Sequence, residues 1–293
     1  MKLLEGKPVA EAIRGELSKE VATLILKGER PPHLAAILVG NNPASQAYIA
    51  SKQKACEQIG FKSSLFRLDE KITEKELLDK ISLINEDSAI DGLIVQLPLP
   101  PHIRVERVIM EIAPSKDVDG FHPLNIGRMV KNLPCYISAT PFGILQLLER
   151  YNIETAGRSC VILGRSQIVG TPLSILLSRD ASPGNCTVTL CHSKTAGLAD
   201  IAAGADILVA ALGRPGFVNA GMVREGAVVI DVGINKIPDK NAKSGYRLCG
   251  DVDFENVSGK CSYITPVPGG VGPMTIVSLL QNTLKAAKKE VIF

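Results

Sequence analysis

The chain alternates short apolar runs with amphipathic stretches, a pattern that restricts it to parallel strands joined by helices. Leu34 to Val39, Ser64 to Leu68 and Ile90 to Leu97 read as strands, with helical patterns near 43–59 and 73–85 between them. A second series begins at Cys160 to Leu163 and continues through Thr187 to Cys191, Ile207 to Ala210 and Ala227 to Val232, again with intervening helices. Two α/β units follow, with a seam near 137–150, where Thr140-Pro141 opens a helix-like run from Phe142 to Arg150. Residues 235–248 read as a polar, lysine-rich surface loop, and Met274 to Lys289 as a closing helix expected to return to the first unit.

At 293 residues with 45% hydrophobic side chains, the chain suffices for two domains with a sizeable core. Its net charge of +3 is small and its basic residues are dispersed, which excludes a nucleic-acid footprint or a polybasic membrane anchor and favours small-molecule partners. The N-terminal Met-Lys-Leu-Leu-Glu-Gly-Lys-Pro carries no signal-peptide pattern and no apolar stretch is long enough to span a bilayer, so a cytoplasmic address is expected. Seven cysteines form no C-x-x-C pair and read as reduced thiols. Cys191-His192 is the only suspicious metal-ligand pair; core packing outweighs metal there, and no metal site is expected.

Three places carry chemistry. The stretch Val267-Pro268-Gly269-Gly270-Val271-Gly272-Pro273-Met274-Thr275 is a backbone-lined turn before the closing helix, with Pro273 suited to the first helical position. It fits either a ligand-facing turn or an ordinary loop-to-helix joint. Secondly, Gly164-Arg165-Ser166-Gln167-Ile168-Val169-Gly170-Thr171-Pro172 follows a strand and opens a helix, as in a dinucleotide site, although Ser166 stands where the second glycine of G-x-G-x-x-G belongs. The next strand ends in Cys191-His192-Ser193-Lys194 without a carboxylate for ribose hydroxyls. Arg165 with Ser193 or Lys194 would form a cationic, hydroxylated pocket for an extra phosphate, favouring NADP over NAD.

Thirdly, Asn42-Pro43 reads as the cap and first residue of a helix just past a strand, placing Tyr48 and Lys52, four residues apart, on one face near the carboxyl edge of the sheet. Taken alone, such a pair is more often surface decoration. Gln96 shifts the balance, because it ends a strand that Leu97-Pro98-Leu99-Pro100-Pro101 cannot continue. In Lys116-Asp117-Val118-Asp119-Gly120-Phe121, Asp117 reads as a cap or bridge and Asp119 as the better ligand contact.

In combination these motifs resemble the methylenetetrahydrofolate dehydrogenase/methenyltetrahydrofolate cyclohydrolase family almost from end to end. The resemblance rests on Val39 to Ser45 with Tyr48 and Lys52, Val95 to Pro100, Lys116 to Phe121, Gly164 to Pro172, and the 267–275 turn. One departure is Ser138-Ala139-Thr140-Pro141, where a cysteine often precedes the Thr-Pro. The resemblance implies an α/β substrate domain over 1–139, a Rossmann-like NADP-binding domain with a parallel sheet over 140–272, and a C-terminal helix over 273–293 packing back on the first. It implies hydride transfer from methylenetetrahydrofolate to NADP, then hydrolysis of the methenyl cation to formyltetrahydrofolate.

By the same resemblance Lys52 is the key catalytic group, Gln96 orients it, Tyr48 stacks on or bonds the folate, and Asp119 holds the pterin. Val95, Leu97, Pro268 and Gly269 line the folate site, while Thr140, Gly164, Arg165, Ser166, Ser193, Ile234, Gly272 and Thr275 contact NADP. A homodimer is implied as well. The rival readings are a dehydrogenase without the second activity, a shikimate-type NADP oxidoreductase with the same strand pattern, and a non-catalytic nucleotide-binding module. The missing acid after the 187–191 strand predicts that Arg165→Ala raises KM for NADP far more than for NAD; an equal rise in steady-state assays with both cofactors would show that Arg165 does not read the phosphate.

Overall fold

The computed structural model describes residues 1–239 and 245–293. In chain order the elements are β1 (Lys2–Leu3), α1 (Gly6–Leu26), β2 (His33–Val39), α2 (Pro43–Ile59), β3 (Lys62–Leu68), α3 (Glu74–Glu86), β4 (Gly92–Val95), α4 (Val105–Glu111), α5 (Pro123–Val130) and α6 (Ala139–Arg150). They continue with β5 (Ser159–Leu163), α7 (Gly170–Ser178), β6 (Thr187–Cys191), α8 (Leu198–Ala203), β7 (Ile207–Ala210), β8 (Val228–Asp231), β9 (Asn235–Pro238), β10 (Tyr246–Cys249), α9 (Phe254–Val257), β11 (Tyr263–Ile264) and α10 (Val271–Ala287). The chain divides into two compact units, one of Met1–Glu11 with Thr140–Thr275 and the other of Ala12–Ala139 with Ile276–Phe293.

In the latter unit β3-β2-β4 form a parallel sheet, with Ala35 opposite Ser64 on one side and Leu93 on the other. All seven residues of β2 are buried, as a central parallel strand covered on both faces requires, and this explains its unbroken apolar run. Ala35, Ile37 and Val39 pack with Leu77, Ile81 and Leu93. The helices between the strands are set by local signals. Asn42 Oδ1 accepts from the Ala44 and Ser45 amides at the start of α2, Pro43 occupies its first turn, and Gly60 at φ 83° ends it. Thr73 and Glu76 form a reciprocal capping box on α3.

The other unit holds a six-stranded sheet in the order β1-β11-β8-β7-β5-β6, parallel throughout. Leu163, Leu208 and Val229 from its central strands share a core with Val218, Val257 and Ile264. Leu163 lies opposite Cys191 and Ala210, so the turns leaving β5, β6 and β7 emerge side by side at one carboxyl edge.

Several sequence expectations shift. Residues 1–11 are expected with the first domain, but Lys2 and Leu3 pair with Tyr263 and Ile264 and so extend the six-stranded sheet. The 235–248 stretch is expected to be a loop, whereas β9 and β10 pair antiparallel, Asn235 opposite Cys249. Residues 240–244 of that stretch lie outside the described residues. The closing helix begins at Val271 rather than Met274, placing Gly272 and Pro273 inside its first turn, where amides have no intrahelical acceptor and a proline is tolerated. The third expected strand ends at Val95, although the Gln96 amide still donates to the Ile37 carbonyl at 2.9 Å.

The loop after α4 is held from beneath by Asp117, which accepts from the amides of Phe121 (3.1 Å) and His122 (2.8 Å) and from Asn125 Nδ2 (2.8 Å). Asn125 Oδ1 in turn accepts from the Tyr136 amide, and Asn282 Nδ2 donates to the carbonyls of Val118 and Ile137. Gly120, at φ 71°, has no room for a Cβ, which would lie 2.7 Å from the Tyr136 carbonyl oxygen. Burial pushes the Asp117 carboxyl up to about 7 despite its three donors. An unfolded aspartate titrates near ~3.9. Between these values the folded chain keeps a proton that the unfolded chain releases, so this group makes stability fall as pH rises from about 4 to about 7. Asp117→Asn removes the titration: the stability of the parent relative to this variant, from urea unfolding at several pH values, declines across that window, and a difference flat with pH would contradict the assignment.

Candidate functional site

In the unit built on β3-β2-β4, α2 leaves the carboxyl edge of β2 and carries Tyr48 and Lys52, while Gln96 follows β4 beside it. Lys52 Nζ donates to Gln96 Oε1 at 3.3 Å, and Gln96 Nε2 donates to the Leu97 carbonyl at 2.7 Å, which fixes the amide so that its oxygen faces the lysine. Asp119 sits on the loop held by Asp117. Burial raises its carboxyl above the usual aspartate range, and the Lys52 charge opposes that rise, placing the two groups within electrostatic reach. The structure therefore brings Lys52, Gln96 and Asp119 together. Val95 is buried at the end of β4, and Leu97 is half-buried next to the pair. Tyr48 lies one turn before Lys52 and is 47% exposed, leaving its ring available on the same helix face.

In the other unit Gly164 closes β5 at φ 114°, and a Cβ there would fall 2.1 Å from the Ala211 carbonyl oxygen. A Cβ on Gly170 would fall 1.8 Å from the Gly164 carbonyl oxygen, so both glycines are required by the close approach of strand, turn and helix. Between them the turn is tied by Ser166 Oγ, which accepts from the Val169 amide at 3.1 Å, and by Thr171 Oγ1, which donates to the Arg165 carbonyl at 3.2 Å. Arg165 and Ser166 are exposed, as are Ser193 and Lys194 after the neighbouring β6. His192 Nδ1 accepts from the Lys194 amide and Thr195 Oγ1 from the His192 amide, which shapes that second turn. An exposed guanidinium, an ammonium and two hydroxyls thus share one edge, a donor set that fits a phosphate-bearing dinucleotide.

The 267–275 turn plays two parts. The Gly269 carbonyl accepts from the Gly6 amide (2.9 Å) and the Lys7 amide (3.2 Å), and a Cβ on Gly6 would lie 1.8 Å from the Gly270 carbonyl oxygen. The turn's carbonyls therefore pack against the start of α1, where Gly6 is the residue that cannot carry a side chain. Pro268 is exposed, while a Cβ on Gly272 would meet only Ile234 Cδ1 at 3.6 Å, and Ile234 is itself 46% exposed. Thr140 Oγ1 and Thr275 Oγ1 lie 3.2 Å apart. Sequence reasoning passed over the buried Asp231 and Asp251, which lie beneath the turns leaving β7 and β8. An aspartate beside glycine, as in Asp231-Val232-Gly233 and Gly250-Asp251, is the signal that could have found them.

Among the described residues no cluster of three or more His, Cys, Asp or Glu is arranged to hold a metal ion. No helix among them is long and apolar enough to cross a membrane.

Comparison with known proteins assigns both units. Residues 4–119 match the family model for the tetrahydrofolate dehydrogenase/cyclohydrolase catalytic domain, and residues 138–291 match that for its NAD(P)-binding domain. The chain is 58% identical over 291 residues to a protein named bifunctional protein FolD from Phocaeicola vulgatus, covering 99% of each. Among solved structures it resembles a bifunctional FolD methylenetetrahydrofolate dehydrogenase/cyclohydrolase from Campylobacter jejuni, with TM-score 0.93 and 46% identity over 99% of this chain and 100% of that one. It also resembles the Trypanosoma brucei dehydrogenase-cyclohydrolase complexed with NADP and an inhibitor, with TM-score 0.92 and 38% identity over 99% of this chain and 98% of that one. With both domains and the full length accounted for, the chain belongs to the tetrahydrofolate dehydrogenase/cyclohydrolase family.

Proposed function

We infer that this chain is a bifunctional enzyme that oxidises methylenetetrahydrofolate to methenyltetrahydrofolate with NADP and hydrolyses the product to 10-formyltetrahydrofolate. Family membership supports both activities. The observation that carries the chemical reading is the grouping of Lys52, Gln96 and Asp119 at the carboxyl edge of β2 and β4. NADP, when bound, supplies the hydride acceptor. Arg165, Ser166 and Ser193 hold its extra phosphate in this reading, with Gly164 admitting its backbone-close groups and Thr140, Ile234, Gly272 and Thr275 completing the contacts.

For the second reaction Lys52 is the base. The amine takes a proton from the attacking water, and Gln96 Oε1 accepts a hydrogen bond from the amine or the ammonium and keeps the side chain aimed through the transfer. Asp119 holds polar N–H groups of the pterin, and Tyr48 offers its ring. Val95, Leu97, Pro268 and Gly269 are assigned to the folate by family resemblance alone. A cytoplasmic homodimer completes the reading on the same ground.

The test is Lys52→Met, which removes the amine and retains much of the side chain's length. Methenyltetrahydrofolate hydrolysis, followed by loss of its absorbance, is expected to fall by at least about 100-fold, the scale of a lost general base. NADP reduction with methylenetetrahydrofolate is expected to fall less. Equal retention of both activities would overturn the role given to Lys52.

A further inference from the structure

The NAD(P)-binding unit contains two buried carboxylates, Asp251 fully buried and Asp231 nearly so. Asp251 gathers the main chain of one turn and a side chain of the next segment. Its Oδ2 accepts from the amides of Leu212 (2.6 Å) and Gly213 (2.9 Å), and its Oδ1 accepts from the Arg214 amide (2.8 Å) and from Asn235 Nδ2 (2.9 Å). Asp231 lies behind it, accepting from the amides of Gly233, Asp251 and Val252, each at 2.9 Å. Neither neighbouring glycine has space for a side chain: a Cβ on Gly233 would fall 2.3 Å from Asp251 Oδ1, and one on Gly250 would fall 1.8 Å from Asp231 Oδ2.

The segments tied in this way are those leaving the carboxyl ends of β7 and β8. Open parallel sheets bind ligands at that edge. The first segment packs through the Ala211 carbonyl against Gly164, at the root of the turn that carries Arg165 and Ser166. The second carries Ile234. Because three consecutive main-chain amides are committed to one carboxylate, the Leu212–Arg214 backbone has no N–H left for a phosphate, and its carbonyl oxygens are the main-chain groups that suit hydroxyl or carboxamide donors of a dinucleotide.

We propose that Asp251, itself held by Asp231, is a positioning residue for the cofactor: it locks the 212–214 and 233–235 segments at the edge where NADP binds without touching NADP itself. The inference rests on the reading that NADP occupies the edge bearing Gly164, Arg165 and Ile234.

The test compares Asp251→Asn and Asn235→Ala with the parent enzyme. Asparagine places an amide NH2 against main-chain donors, so Asp251→Asn is expected to raise KM for NADP by at least about tenfold, the loss of a charge-assisted hydrogen bond, with a much smaller change in kcat. Methenyltetrahydrofolate hydrolysis, for which Lys52, Gln96 and Asp119 lie in the other unit, is expected to fall far less than NADP-dependent oxidation. Asn235→Ala removes one tie without leaving a buried charge unpaired and is expected to raise KM for NADP about threefold; it decides the matter if Asp251→Asn fails to fold. A merely structural role would instead lower the melting temperature and both activities together with KM for NADP unchanged, and that result overturns the proposal. Arg165→Ala run alongside separates the two failures. If it raises KM for NADP while Asp251→Asn and Asn235→Ala do not, only the positioning role falls, and if none of the three does, the placement of NADP at this edge falls with it.

Discussion

A parallel sheet ends each strand at its carboxyl edge with main-chain amides that no ladder satisfies, and a buried turn must find acceptors for them or lose about 1–3 kcal/mol per unpaired group. This chain answers with carboxylates placed beneath the turns. Asp117 takes the amides of Phe121 and His122, Asp231 those of Gly233, Asp251 and Val252, and Asp251 those of Leu212, Gly213 and Arg214. Each is a rigid acceptor with several lone pairs, so one side chain organises several residues of loop. The segments that result carry Asp119 in one unit and Ile234 in the other. Burial raises Asp117 to about 7 and Asp231 to about 6, a sign that these turns are held by groups whose charged form is itself disfavoured by its surroundings.

The two units divide the chemistry. Lys52, Gln96 and Asp119 all belong to Ala12–Ala139, whereas the glycine turn and the exposed Arg165, Ser166 and Ser193 belong to Thr140–Thr275. Water activation needs an amine, an orienting amide and a compensating carboxylate close together. Dinucleotide binding needs main chain that approaches closely and a cationic edge, which glycines 164 and 170 and the β5 and β6 turns provide. In the proposed reading a change at Lys52 acts first on hydrolysis and a change at Arg165 acts first on the use of NADP.

Much of this was legible in the sequence because the central strands β2, β7 and β8 are buried throughout and therefore read as unbroken apolar runs. The Asn42 cap of α2 was equally local. Helix α1 escaped notice although Val9, Ile13, Leu17 and Val21, all buried, recur at a spacing of four. β1 and β11 are two residues long and leave no period, and β9 and β10 contain only exposed and half-buried residues, which reads as polar loop. For the site, resemblance supplied the roles, while strand ends alone pointed to Gln96. Asp117 was legible as a cap or bridge, whereas the part played by Asp231 and Asp251 was hidden for a different reason: a carboxylate in a sequence does not reveal how many amides will turn toward it.

One chain carries two consecutive reactions on one folate. The most direct measurement is a spectrophotometric assay of the purified protein with methylenetetrahydrofolate, run separately with NADP and NAD, followed by decay of added methenyltetrahydrofolate. Faster reduction of NADP than of NAD and methenyl hydrolysis above the buffer rate are expected from the same preparation. NADP reduction without hydrolysis would contradict the bifunctional reading, and the absence of both would contradict the enzymatic reading as a whole.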